Sequence, residues 1–437
     1  MTRSTTLTHL PAQRSAPASA RAVFRLFEGV RHGTLELRLP DGSTARFGHR
    51  VDGAPHGVMR LSNWNVFGAA LKSGDIGVAE AFIAGDWSTP DLVGLLQWFI
   101  GNRQHIDALV HGTWWGRAWH RARHLFNRNS RRGSRKNVHA HYDLGNDFYQ
   151  LWLDPTMAYS SAWFGGARSG DLVQAQWAKT RRALAECGVR RGDRVLEIGC
   201  GWGALAECAA REFDAEVSGV TLSREQLAWG RQRLAEAGLR GRLRYQDYRD
   251  IDDGPYDAVV SIEMFEAVGR AYWPVFFDTV REQLKPNGKA CIQTIVIRDD
   301  LFPRYVRSTD FIQQYVFPGG LLPSPSEFRK AAGKAGLAVV AELAFGLDYA
   351  ETLLRWRARF LGAEAQVRQL GFDTRFLRIW EFYLAYCEAA FATGSTSVVQ
   401  FTLQHAGLRA DVDRLDSSGR GVVARDVIRP ERESPCR

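Results

Sequence analysis

Alternating and helical periodicities divide the chain into two stretches of different character. In the first, Leu35, Leu37 and Leu39 of TLELRLP alternate with polar residues, which predicts a half-buried strand closed by the DGS turn that follows. SNWNVFGAALKSGDIGVAEAFIAGDW then reads as helix, Gly-Asp turn, helix, and DLVGLLQWFI as a short amphipathic or buried helix. After Gln174 strands and helices take turns: a helix over 175–187, the strand RVLEIG, a helix through Phe213, the strand AEVSGVTL and a helix over 224–237. RLRYQD, YDAVVSIEMF, a helix over 272–284, a PNG turn and the strand ACIQTIVI complete the run, and LAVVAEL at 337–343 supplies a further strand. This predicts an α/β chain with a Rossmann-like, mostly parallel sheet flanked by helices on both faces, preceded by a smaller α+β domain. The expected boundaries are a disordered tail over 1–21, an N-terminal domain over 22–112, a basic linker over 113–137, the α/β domain over 138–410 and a polar tail over 411–437.

Charge adds a direction to this picture. The formal charge of +9 suggests an anionic partner, either nucleic acid or an anionic membrane surface. From 108 to 142 no acidic residue occurs, while Arg117, Arg121, Arg123, Arg128, Arg131, Arg132, Arg135 and Lys136 interleave with Trp114, Trp115, Trp119 and Phe126. Arginine for lipid phosphates beside tryptophan for the interface is the composition of a membrane-surface segment; a solvated linker is the plainer reading. No stretch reaches the roughly 18 apolar residues that a spanning helix needs, and the N-terminus lacks the apolar core of a signal peptide. The cysteines at 187, 200, 208, 291, 387 and 436 form neither a CxxC pair nor a metal spacing, so reduced thiols and no metal are expected. The expected location is cytoplasmic, peripherally associated with the inner face of the membrane.

The sharpest local motif is VLEIGCGWGALAE, 195–207, in which a strand ends and Gly199, Gly201 and Gly203 turn into a helix. Such a turn lets the backbone approach a nucleoside that any Cβ would hold off. A dinucleotide site wants an acid about 20 residues further on, and Gly219-Val220-Thr221 stands there instead. Glu197 before the first glycine resembles motif I of class I S-adenosylmethionine methyltransferases, and Asp247 after the third strand is placed to contact an adenine amino group as in that class. The fourth strand ends in SIEMFEAVG, which puts Glu263 and Glu266 near a transferred methyl, because ligands of open α/β sheets bind beyond the carboxyl ends of the strands. The DPPY or NPPY motif of nucleic-acid amino methyltransferases and the Pro-Cys of cytosine-C5 enzymes are both missing, so no nucleic-acid substrate is expected.

HYDLGNDFYQLWLDPTMAYSSAWF at 141–164 is crowded with aromatic residues. Together with VLEIGCGWGALAE, GVTLSREQ, MFEAVG and DFIQQYVFPGGLLPS it resembles the cyclopropane-fatty-acyl-phospholipid synthase family, over about Lys136 to Gln404. The N-terminal segment resembles the extra lipid-binding domain of the bacterial members. The resemblance implies transfer of the S-adenosyl-L-methionine methyl to the cis double bond of a phospholipid acyl chain, a carbocation, and ring closure as bicarbonate takes a proton. It implies cofactor contacts at Tyr159, Ser160, Gly199, Thr221, Leu222 and Gln226, with Tyr248 beside the adenine. Part of the aromatic stretch would wrap the cofactor and the acyl channel; Phe148 and Trp152 are expected in the core. A homodimer is likewise implied.

The departures from the family pattern gather at the bicarbonate pocket. Glu266 matches the bicarbonate-orienting glutamate and Ile295, whose counterpart uses its backbone, is kept. Ser161 replaces a cysteine, Gln293 replaces a histidine, and Arg357 stands where a WYERF-type motif has tyrosine. Ser161, Gln293 and Arg357 could all hydrogen-bond an oxyanion, which favours bicarbonate and a cyclopropane product. The alternative is an Arg357–Glu266 pair that leaves no room for the anion, and a methylene- or methyl-branched product. A non-catalytic lipid-binding protein on the same fold is the distant third.

Overall fold

The computed structural model describes residues 16–49, 53–110 and 144–407, the side chains of 107–110 excepted. The basic segment at 113–137, the tail at 411–437 and most of the N-terminal tail lie outside the described residues. The first helix among the described residues, α1 (Ala18–Glu28), begins inside the stretch expected to be tail. ASARAVFRLFE is amphipathic, and Ala20, Val23, Phe24 and Phe27 bury one face, which is reason enough for these residues to fold.

The N-terminal part then runs β1 (Thr34–Arg38), β2 (Thr44–Gly48), β3 (His56–Leu61), α2 (Asn65–Ser73), α3 (Asp75–Ala84), β4 (Trp87–Ser88), α4 (Leu92–Gly101) and α5 (Arg103–Val110). Leu35 and Leu37 are fully buried on β1, as the alternation predicts. The sheet order is β2-β1-β3-β4. Gly74, at φ 60°, separates α2 from α3, and the Asp91 side chain caps α4 by accepting from the Gly94 N–H.

The larger part contains α6 (Asn146–Gln150), α7 (Leu172–Glu186), β5 (Arg194–Ile198), α8 (Ala204–Glu212), β6 (Glu216–Thr221), α9 (Arg224–Glu236), β7 (Gly241–Tyr245) and β8 (Tyr256–Ile262). It continues with α10 (Trp273–Gln283), β9 (Leu284–Ile297), α11 (Phe302–Tyr305), α12 (Phe311–Tyr315), α13 (Pro325–Lys334), β10 (Leu337–Ala344), α14 (Gly346–Gly362), α15 (Glu364–Gln369), α16 (Thr374–Ala392) and β11 (Thr396–His405). The seven-stranded sheet has the order β10-β11-β9-β8-β5-β6-β7. β9, β8, β5, β6 and β7 are parallel, and β11 inserts antiparallel between β9 and β10. The expected PNG turn is part of β9: Leu284 pairs with Tyr256 and Lys289 with Ala258, so an irregularity in register absorbs the three residues without ending the strand.

The two parts are joined by packing on α16. Phe82 of α3 meets Phe382 with ring centroids 5.6 Å apart, and Arg378 donates to the carbonyl of Phe82 at 3.3 Å. Phe148 and Trp152 are fully buried, and Trp152 packs on both Trp356 and Trp380. These two aromatics therefore serve the core, as expected. No helix among the described residues is long and apolar enough to cross a membrane.

Candidate active site

A cavity of about 450 Å³ opens beyond the carboxyl ends of β5, β6 and β8. Its first wall is the glycine turn. Gly199 (φ 86°) and Gly201 (φ 47°) line it in the left-handed region, where a side chain would be strained, and a Cβ on Gly199 would stand 2.9 Å from Met264 Cγ. Gly203 differs from the expectation: it lies outside the cavity lining, and a Cβ there would approach the Gly230 backbone at 3.1 Å. It permits close packing of α8 on α9.

Other expected cofactor residues share this wall. Glu197 lines the cavity at 3% exposure; its Oε2 has no hydrogen-bond partner, and burial pushes its carboxyl far above the usual range. Thr221, Leu222 and Gln226 line the cavity at the end of β6, with the Thr221 hydroxyl donating to Gln226 Oε1 at 3.1 Å. Asp247 and Tyr248 stand at the end of β7, and both oxygens of Asp247 accept from the Arg249 guanidinium at 2.8 and 2.6 Å. Tyr159 and Ser160 close the wall from the aromatic segment, Tyr159 sharing a 2.6 Å hydrogen bond with Tyr383. A cradle open at the glycines, with an orphan carboxylate oxygen beside it, fits the nucleoside and amino-acid ends of S-adenosylmethionine.

Two carboxyl groups from the end of β8 face the cavity, Glu263 and Glu266. Glu263 is a non-glycine residue at φ 49°, a conformation that costs roughly 1–2 kcal/mol. Its Oε1 accepts from the Ser161 N–H at 2.9 Å and from Gln293 Nε2 at 2.7 Å; its Oε2 accepts from the Tyr349 hydroxyl at 2.7 Å. Gln293 is itself held by Gln400 Nε2, which donates to its Oε1 at 2.9 Å. Glu266 is anchored by the Ile295 N–H, and its Oε2 is buried without a partner.

These surroundings separate the two groups. Burial, and then the nearby Glu263 charge, raise the Glu266 carboxyl to about 8, so it keeps its proton at neutral pH. Burial also raises Glu263, but three donors and the neighbouring Lys179 favour its ionised form. Glu263 is thus the more readily ionised of the two.

The pocket expected for bicarbonate is rearranged accordingly. The Ser161 N–H and Gln293 Nε2 bind Glu263, the Ile295 N–H binds Glu266, and the Ser161 hydroxyl donates to the Ala162 carbonyl at 2.9 Å. Ser161 and Gln293 lie behind Glu263, outside the cavity lining. Arg357 is also outside it and pairs with Glu388 at 2.8 Å, so neither an Arg357–anion contact nor an Arg357–Glu266 pair forms. The tyrosine sought at 357 is supplied from 349, about two turns earlier on α14. The donors expected for bicarbonate are engaged by the chain's own carboxylates, and bicarbonate does not fit here.

Comparison with known proteins agrees with this architecture. A family profile described as mycolic acid cyclopropane synthetase matches residues 129–401. The tuberculostearic acid methyltransferase of Mycobacterium tuberculosis is 37% identical over 413 residues, 92% of this chain and 90% of that protein. The cyclopropane-fatty-acyl-phospholipid synthase of Escherichia coli K12 is 32% identical over 355 residues, 81% of this chain and 89% of that one. A crystal structure of a mycolic acid cyclopropane synthase complexed with S-adenosylhomocysteine superposes with a TM-score of 0.58 at 32% identity, covering 62% of this chain and 98% of the other.

Proposed function

Given that the chain belongs to the mycolic acid cyclopropane synthetase family and is an S-adenosylmethionine-dependent methyltransferase, we propose that it methylates a cis double bond in a phospholipid acyl chain and yields a methylene-branched product, with Glu263 as the base. The observation that carries this reading is the Glu263 carboxylate, facing the cavity and fixed by Ser161, Gln293 and Tyr349.

S-adenosylmethionine, when bound, supplies an electrophilic methyl group. The acyl double bond gives its π pair to that methyl as the S–CH3 bond breaks and leaves its pair on sulfur, and a cation remains on the adjacent chain carbon. A 1,2-hydride shift moves the charge to the methyl-bearing carbon. Glu263 then takes one proton from the methyl, and the C–H pair becomes the double bond of a methylene branch. No external reductant or anion enters this balance. Tyr159, Tyr349, Tyr383 and Phe317 line the cavity, and a desolvated aromatic face stabilises a cation by roughly 2 kcal/mol. Keeping water away matters equally, because a hydrated cation ends as an alcohol.

Glu266, its carboxyl held up by burial and by the Glu263 charge, leaves Glu263 the readier base at the site. The relative matched over 92% of this chain is named a tuberculostearic acid methyltransferase, and one matched over 81% a cyclopropane-fatty-acyl-phospholipid synthase. The runner-up is cyclopropane formation with Glu263 removing the same proton while the ring closes. Methyl-labelled S-adenosylmethionine and vesicles of a cis-monounsaturated phospholipid separate the two. Released fatty acids are expected to gain one carbon and to become a methyl branch on mild hydrogenation; a product that survives as a ring would refute the branched reading. Docking through the basic segment around 113–137 and the N-terminal domain is part of the proposal, and equal binding to neutral and anionic vesicles would refute it.

A further inference from the structure

Lys179 on α7 is 2% exposed and lines the cavity beside Ser160 and the glycine turn. Its Nζ donates to Ser160 Oγ and to Gln176 Oε1, both at 2.6 Å. Both acceptors are neutral, and among the described residues Lys179 forms no ion pair. An ammonium has three N–H donors, so one is left over, and a buried charge without a counter-ion is costly. Burial indeed lowers the Lys179 ammonium to about 8, against the fields of Glu263, Asp154 and Glu197. Across the same wall Glu197 presents its own unpartnered oxygen. The wall therefore offers a cation with a spare donor and a carboxyl with a spare acceptor.

A ligand that answers both carries a carboxylate and an ammonium on one carbon. We propose that Lys179 binds the α-carboxylate of the cofactor's methionine portion while Glu197 accepts from its α-ammonium. Lys179 thereby anchors the end of the cofactor remote from the adenine and fixes where the reactive methyl projects. This rests on the cofactor assignment above but not on which product forms.

The competing role is purely structural. Gln176 Nε2 donates to the Ser160 carbonyl at 2.9 Å and to the Ala158 carbonyl at 3.3 Å, so Lys179 could simply complete a clamp on the Tyr159–Ser160 loop. Calorimetric binding of two ligands to the full chain distinguishes the roles: S-adenosylhomocysteine, and its decarboxylated analogue 5′-deoxy-5′-(3-aminopropylthio)adenosine. Lys179→Met is expected to weaken S-adenosylhomocysteine about 10- to 100-fold, the range of a hydrogen bond to a charged group, and to leave the analogue within about threefold. Equal weakening of both ligands, or of neither, overturns the proposal. Wild-type protein supplies an arm that needs no variant: it must bind S-adenosylhomocysteine at least about tenfold more tightly than the analogue, and equal affinities overturn the proposal. Failure of wild-type protein to bind either ligand would instead overturn the cofactor assignment.

Discussion

Replacing Glu263 by Gln isolates its role as a base. The substitution keeps shape and volume, and the structure says what becomes of each hydrogen bond. The amide oxygen can keep the Ser161 N–H and Gln293 Nε2 contacts made by Oε1. The amide nitrogen then faces the Tyr349 hydroxyl, now 2.7 Å from Oε2, which can turn to accept instead of donate. The Tyr349 O–H and the second amide N–H then lack an acceptor, so a stability cost of about 1–3 kcal/mol is expected, that of an unsatisfied buried donor. Turnover should behave differently. A positioned base contributes about 10²- to 10⁴-fold, equivalent to about 3–5 kcal/mol in the barrier. Steady-state turnover with labelled cofactor and vesicles is therefore expected to fall at least about 100-fold, with S-adenosylhomocysteine affinity nearly unchanged and the protein still folded. Turnover within a few-fold of wild type, in a folded and cofactor-competent protein, would refute the assignment.

Further outcomes follow from the same geometry. Glu263→Gly is at ease at φ 49° and vacates the three donors; added bicarbonate or formate is expected to restore turnover at least about tenfold, and no rescue would argue against an anion cradle. Burial holds the Glu266 proton up to about 8, above its ordinary 4.5, so this group favours the folded state fully below the ordinary value and loses that contribution as pH rises through about 8. The Tm of Glu266→Gln relative to wild type should accordingly rise between pH 6 and 8 and level off above; a constant difference would contradict the raised carboxyl. Arg357→Met breaks the pair with Glu388 and is expected to cost about 1–3 kcal/mol, less than a fully buried pair because the guanidinium is partly exposed. Its turnover should stay within a few-fold of wild type, since Arg357 lies outside the cavity; a loss of 100-fold without unfolding would return it to the site.

The order of strands and helices was legible because each element carries its own period: Leu35 and Leu37 alternate on β1, and β5 to α8 brackets its glycine turn. Elements whose fate depends on neighbours were less so. Ala18 to Arg21 read as tail because Ala and Ser say little, yet Ala20 packs under Phe24 and Phe27 on one helical face. The PNG of β9 reads as a turn because Pro, Asn and Gly favour one locally, and pairing with β8 on either side overrides that preference.

At the site, the cavity wall and the place of Glu263 near the methyl were readable from local motifs, and the role proposed for Glu263 as base was not. Glu263 gains its role from donors at positions 161, 293 and 349, on separate segments, which no local spacing reveals. For Tyr349 a signal did exist. The buried stripe of α14 runs through Tyr349, Thr352, Leu353, Trp356 and Phe360, and Arg357 falls one residue off it. Helical phase would have preferred 349 to 357 where motif matching chose the later position.

The central claim is that a carboxylate of the chain stands in for a diffusible anion. The most direct measurement is turnover of wild-type protein in carbon-dioxide-free buffer, titrated with bicarbonate. Full activity is expected without bicarbonate, with no rise on its addition. Activity that vanishes in its absence and saturates as it is restored would contradict the account.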